Sequence, residues 1–331
     1  MRFLNRPSDA INTIPIDRSF LLSHGAGETV RKIRSIVRNV EFELLENELG
    51  FRMLGPDMYY HTIDPYLSKA LGKYKKGMLL GDILDYRSRR ASFDLCFEDS
   101  WSGYFLADHL GRNDRADDLV LIHLDDHTDM MSTLLERTGE GLTDPSTGKS
   151  FDPSVRNDWE SAIYSGCIGI GSFITPLYYS DHKVHVRHLN NSASSTYDLY
   201  NVIQENYCYE LIPNKQFAAI RLANSDWQNS AGTYRGGNNV DKVLASTPEG
   251  QVIVHIDLDY FINDFNGNVG TAFHFPNHDL KYQVIQKLER FFDALHAMQV
   301  RVDHWIIATS PGFCSAYHWD WLLTEIEDRI K

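Results

Sequence analysis

Leu119-Val120-Leu121-Ile122-His123-Leu124-Asp125-Asp126-His127-Thr128-Asp129 is a run of β-formers that ends in acids and an imidazole. Short continuous apolar runs of this kind read as strands covered on both faces. A second run has the same grammar, Val252-Ile253-Val254-His255-Ile256 leading into Asp257-Leu258-Asp259. In open α/β sheets, loops beyond the carboxyl ends of parallel strands gather side chains from distant parts of the chain, and ligands bind there. Alternate residues of an extended segment face the same way, so Asp125, His127 and Asp129 are expected to converge, with Asp257 and Asp259 arriving from the second strand. Such a cluster repels itself unless it takes up protons or a multivalent cation. Its oxygen-rich donors, with an imidazole, suit manganese better than structural zinc. Either acidic cluster alone also reads as helix-capping aspartates; two clusters, each following a strand, favour the metal.

Working outward, Phe217-Ala218-Ala219-Ile220 and Trp305-Ile306-Ile307-Ala308 are further strands, while Val184-His185-Val186-Arg187 alternates and is expected nearer an edge. Asp279–Met298 carries Leu280, Val284, Ile285, Leu288, Phe291, Phe292 and Leu295 on one helical face. Strands alternating with helices predict an α/β fold, a three-layer α-β-α arrangement with a mainly parallel sheet, over residues 91–331. Residues 1–90 form an N-terminal extension, helical and irregular: Val30, Ile33, Ile36, Val37, Val40 and Leu44 predict a helix within 26–48, and 49–90 show no clear periodicity before 81. The long polar stretch 224–239 reads as a lid or a disordered loop. Trp227, Tyr234 and Arg235 within it are candidates to line a substrate entrance, packing onto the domain being the alternative.

Hydrophobic residues make up 43% and charged residues 23% of the 331, ordinary globular usage. A net charge of −13 argues against nucleic acid as a partner and leaves a cationic substrate open. Cys96, Cys167, Cys208 and Cys314 lie far apart and are expected as reduced core cysteines. With no signal-peptide-like run and no stretch near the roughly 20 apolar residues of a membrane span, a cytoplasmic protein without a membrane partner is expected.

Leu124-Asp125-Asp126-His127-Thr128-Asp129 and His255-Ile256-Asp257-Leu258-Asp259 resemble, in order, spacing and strand context, the motifs of the arginase, or ureohydrolase, superfamily. The resemblance covers roughly residues 91–320. It implies an arginase/deacetylase-like fold and two manganese ions. His123 ahead of the first motif, Tyr260-Phe261 after the second, and Ser310-Pro311-Gly312-Phe313-Cys314 look most like the divergent branch of peptide arginases, which turn arginine side chains of ribosomally made peptides into ornithine and urea. The family's upstream histidine ligand is missing: the corresponding stretch is Phe97-Glu98-Asp99-Ser100-Trp101, where Asp99, or failing that Glu98, replaces it, because a hard cation accepts oxygen or nitrogen. His109 lies too far along the following helix.

The ligand set this implies is Asp99, Asp125, His127, Asp129, Asp257 and Asp259, with Asp129 and Asp259 also orienting the attacking water. The leaving amine needs a proton, for which His318, after the last strand, is the candidate. His123 and His255, each two residues before a ligand aspartate, read as hydrogen-bonded supports or as packed core histidines. The expected partner is an arginine-containing peptide, with a leader peptide and a homo-oligomer left open. The alternatives are a small-molecule guanidino or amide hydrolase of the same superfamily, or a non-catalytic, metal-stabilised binding protein.

Overall fold

The computed structural model of the protein describes residues 12–45, 48–111, 118–193, 196–224, 229–268 and 277–331. Six parallel strands occupy its centre: β1 (Asp94–Cys96), β2 (Leu119–Leu124), β3 (Val184–Leu189), β4 (Gly232–Gly237), β5 (Gln251–Asp257) and β6 (His304–Ala308). Their spatial order is β1-β6-β5-β2-β3-β4. Six antiparallel strands flank them, Arg87–Arg89 beside β1, and Tyr200–Tyr207, Phe217–Ala223 and three short strands between 136 and 151 beyond β4. The 12-stranded sheet is therefore mixed, where the sequence predicts a mainly parallel one. The link between Tyr200–Tyr207 and Phe217–Ala223 is too short for a crossover helix, so those two strands pair antiparallel.

Val184–Leu189 is an interior strand with all six residues buried, not an edge. Its alternating polar residues find partners on the neighbouring strand: His185 Nδ1 lies 2.8 Å from Thr233 Oγ1, and Arg187 Nη1 donates to the same hydroxyl at 3.1 Å. The stretch read as a loop over 224–239 contains β4. At its start Gly232 has φ +150°, and a Cβ there would lie 1.8 Å from the carbonyl oxygen of Val184. Only glycine lets β4 begin so close to β3. Trp227 lies outside the described residues.

The longer helices are α1 (Arg18–Ile36, kinked at Gly25), α2 (Leu67–Tyr74), α3 (Ser100–Leu110), α4 (Arg156–Ser165), α5 (His278–Ala297) and α6 (Trp319–Ile330). Helix α1 starts earlier and stops sooner than the periodicity predicts. The Asp17 carboxylate accepts from the backbone N–H of Ser19 and Phe20 and so caps its start. Val40–Leu45, with Val40, Phe42 and Leu44 alternating against Glu41 and Glu43, is a strand paired with Glu48–Met53.

On β2 the pleat sends Leu119 and Leu121 into one core and Val120, Ile122 and Leu124 into another. The first core also holds Trp101 and Phe105 of α3, Trp159 and Ile163 of α4, and Ile33, Phe51 and Met53 from the N-terminal part. The second holds Leu67 and Leu71 of α2, Val284 and Leu288 of α5, and Trp319 and Leu322 of α6. The residues before 91 thus share both cores of the sheet. Cys96, Cys167 and Cys314 are buried and free, while Cys208, also free, is exposed. No described helix is long and apolar enough to cross a membrane.

From β2 the chain steps outward to β3 and β4; from β5 it steps the opposite way to β6. The crevice where such directions part, beyond the carboxyl ends of β2 and β5, is where sheets of this kind bind ligands. Register sets His255 opposite His123 and Ile256 opposite Leu124, so Asp257 and Asp125 leave their strands side by side.

Candidate metal centre

Asp125 and Asp257, both 1% exposed, stand at that crevice. Beyond them the chain turns, and turns rather than strand alternation gather the remaining acids. Asp125 Oδ1 accepts the backbone N–H of His127 at 2.6 Å, and Asp129 sits at φ +50°. After β5 a 3-10 turn carries Asp259, whose N–H donates to Asp257 Oδ1 at 3.2 Å. Ser310, just after β6, donates its hydroxyl to Asp257 Oδ2 at 2.8 Å. Asp99 occupies the N-cap position of α3, yet its carboxylate caps nothing there. Ligating atoms of Asp99, Asp125 and Asp257 lie within 4.8 Å of one another, as do those of Asp125, His127 and Asp259. Five of the six residues expected as ligands are therefore brought together, and the sixth, Asp129, lines the same cleft as Asp99, His127 and Asp257.

The electrostatics are those of carboxylates short of positive charge. Burial, and then the neighbouring carboxylates, hold Asp125, Asp129 and Asp257 well above the ordinary carboxylate range. Burial pushes Asp99 up to about 7. His127 moves up to about 10, chiefly through its bond to Asp259, with Nδ1 at 2.9 Å from Asp259 Oδ2 and Nε2 at 3.0 Å from Asn266 Oδ1. With an acceptor at each ring nitrogen, this imidazolium stands where a metal cation would otherwise supply the charge. Oδ1 of Asp99 and Oδ2 of Asp125 and Asp129 are buried without a hydrogen bond among the described residues. Each such orphan costs about 1–3 kcal/mol, and more when charged.

Beneath the acids lies a row of histidines. His188 on β3, His123 on β2 and His255 on β5 share one register across three adjacent strands and are fully buried. The ring of His123 lies 4.9 Å from that of His188 and 5.0 Å from that of His255. Burial lowers His188 to about 4 and His255 to about 3, so these rings are neutral at pH 7. His188 Nε2 lies 3.0 Å from the carbonyl oxygen of Asp125 and its Nδ1 2.9 Å from the Tyr234 hydroxyl. Tyr234, expected at a substrate entrance, is instead on β4, 9% exposed, and supports His188 from behind the site.

Above the acids opens a cleft of about 520 Å³ lined by Asp99, His127, Asp129 and Asp257 together with Tyr60, His61, Glu98, Asn266 and Phe313. His318 does not line it; this residue, expected as the mobile acid, is fully buried at the start of α6, with Nε2 3.3 Å from Asp264 Oδ2. The cleft histidine that the sequence analysis does not single out is His61, from the stretch without clear periodicity before residue 81. Its Nε2 lies 3.0 Å from Glu98 Oε1, while its Nδ1 makes no hydrogen bond among the described residues. With Glu98 held by His61, Asp99 is the residue left to complete the cluster.

Other contacts fix this wall. Asp64 accepts the backbone N–H groups of Ala316 and Tyr66 and the Ser315 hydroxyl, tying the segment to the loop after β6. Gly312, at φ +89°, packs so closely that a Cβ would lie 2.4 Å from the carbonyl oxygen of Tyr60. No sequence periodicity marks His61, whereas His188 could have been found from its register with His123. No family model matches this chain, and no curated protein matches it either.

Proposed function

We propose that the protein is a manganese-dependent hydrolase of arginine side-chain guanidinium groups within a peptide, giving ornithine and urea, on an arginase/deacetylase-like three-layer α-β-α scaffold. The observation that carries this reading is the buried carboxylate cluster, with unmet oxygens, at the floor of a cleft. Its donors, four carboxylates and His127 with Asp129 beside them, fit hard divalent ions, and Asp99 supplies oxygen where the resembling family supplies an imidazole. Two manganese ions held by Asp99, Asp125, His127, Asp129, Asp257 and Asp259 would bring a water's pKa toward neutrality and balance the acids' charge.

The cleft's own residues favour a cationic, planar substrate group. Glu98 and Asp126 give its wall a negative field, and the Tyr60 and Phe313 side chains line it, the Tyr60 ring already holding one guanidinium, that of Arg38, at 4.5 Å. Among the described residues the lining contains no lysine or arginine. A free amino acid would find no lysine or arginine for its α-carboxylate among these residues, whereas an arginine inside a peptide carries no such charge. In the reaction, water oxygen bonds to the guanidinium carbon, the bond from that carbon to the side-chain nitrogen breaks, and that nitrogen takes a proton as it leaves. His61 is the histidine of the cleft wall placed to supply it, with Glu98 orienting its ring.

Purified, manganese-loaded protein incubated with arginine-containing peptides and with free arginine decides the matter, with urea and peptide mass followed together. Urea with ornithine formed only in peptides is the expected result. Urea from free arginine moves the reading to a small-molecule enzyme, and hydrolysis of acetylated amines without urea moves it to an amide hydrolase.

A further inference from the structure

His123 points upward from the histidine row into the acids. Its Nε2 is buried and makes no hydrogen bond among the described residues, yet it lies 3.6 Å from Asp125 Oδ2 and 3.5 Å from Asp129 Oδ2. Those two oxygens also lack hydrogen bonds. A hydrogen bond from N–H to oxygen spans about 2.7–3.2 Å, so the separations are too long for one. Two donors each about 2.1 Å from one ion lie about 3.0 Å apart at a right angle and about 3.4 Å apart at the tetrahedral angle. The spacing is closer to that of ligands arranged around a cation.

The other ring nitrogen supports the same assignment. His123 Nδ1 faces His255 Nδ1 at 2.9 Å, a contact in which one ring donates and the other accepts. If His123 donates, its Nε2 carries a bare lone pair directed at the acids, the tautomer a metal ligand needs. His188 in the same row is different: both its nitrogens have partners, the Tyr234 hydroxyl and the Asp125 carbonyl.

We propose that His123 Nε2 is a metal ligand, sharing one ion with Asp125 and Asp129, and that His255 fixes its tautomer by accepting the Nδ1 proton. An imidazole from the strand beneath thus restores the nitrogen donor that the upstream stretch at Asp99 lacks. The assignment rests on the two-ion reading above but not on the identity of the substrate.

The test is pulsed EPR on protein labelled with ¹⁵N-histidine and titrated with manganese, alongside metal analysis of His123→Gln, His188→Gln and His255→Gln. Two coordinated imidazole nitrogens per protein are expected, from His127 and His123. His123→Gln should lose one of them and one bound ion, His255→Gln should bind manganese roughly 10–100-fold more weakly, and His188→Gln should keep both couplings and both ions. A single imidazole coupling in the wild type, or two ions held with unchanged affinity by His123→Gln, overturns the assignment. The labelled wild type decides by itself if His123→Gln fails to fold. Absence of any manganese binding removes the two-ion reading as well, whereas absence of urea with two imidazoles bound removes only the proposed substrate.

Discussion

A second cavity opens beyond the carboxyl ends of β3 and β4, lined by Asn190, Asn191, Asn238, Asn239, Lys287 and Arg290, and at about 660 Å³ it is larger than the cleft over the acids, at about 520 Å³. Its asparagines and Lys287 already have partners. Asn191 donates to Asp126 and to the carbonyl of Tyr260, Lys287 donates to Asn191 and the same carbonyl, and Asn239 caps the short helix Val240–Leu244. In the cleft the balance is reversed, with buried oxygens and ring nitrogens outnumbering the protons available to them. Size and polarity do not distinguish the two cavities; unmet buried atoms do, because only these store a free energy that a ligand can release.

The contrast breaks most visibly at Asp125. Asp125→Asn should abolish turnover and manganese retention in metal analysis, yet the metal-free variant should resist urea better than metal-free wild type, since one crowded charge is gone. The matching change in the other cavity, Asn191→Ala, should cost about 1 kcal/mol in the same urea titration with or without manganese. Equal effects of manganese on the stability of both variants would remove the distinction.

His61 sharpens it, since its Nδ1 is an unmet atom that touches no expected ligand. His61→Asn should lower kcat about 100-fold or more while leaving manganese content unchanged. Unchanged kcat would assign the proton to another group.

A further effect concerns pH. Asp99 titrates in the folded, metal-free protein at about 7 against an ordinary 3.8, so folding holds a proton that the unfolded chain gives up. Its contribution to stability is full below 3.8 and is lost as pH rises through about 7. Metal-free protein should therefore lose urea resistance across that window, and manganese-loaded protein should not. A flat profile for the metal-free form would contradict the crowding of carboxylates described above.

Asp125 and Asp257 were legible because each ends a strand whose residues are apolar on both faces; those two strands and His304–Ala308 do lie in the parallel centre, whereas Phe217–Ala223, read in the same way, pairs antiparallel. Three features were not. Arg187 and His185 made an interior strand look amphipathic, because their partner Thr233 is far away in sequence. Tyr234 sat in a polar, glycine-containing stretch that resembled a loop, yet Gly232 there serves a close strand approach rather than a turn. His61 carried no local signal, since its place on the cleft wall depends on Asp64 holding the loop after the last strand. Local pattern reports what a residue's neighbours in sequence impose, and these three positions are set by neighbours in space.

The clasp between Asp64 and Ser315 joins residues 251 apart in sequence. Such contacts form late, because loop-closure entropy must be met before they contribute. During synthesis β2 and its acids emerge long before β5 and β6, so no partial chain presents the complete donor set. Manganese is therefore expected to act on the finished fold and slow its unfolding, rather than to guide the chain toward it.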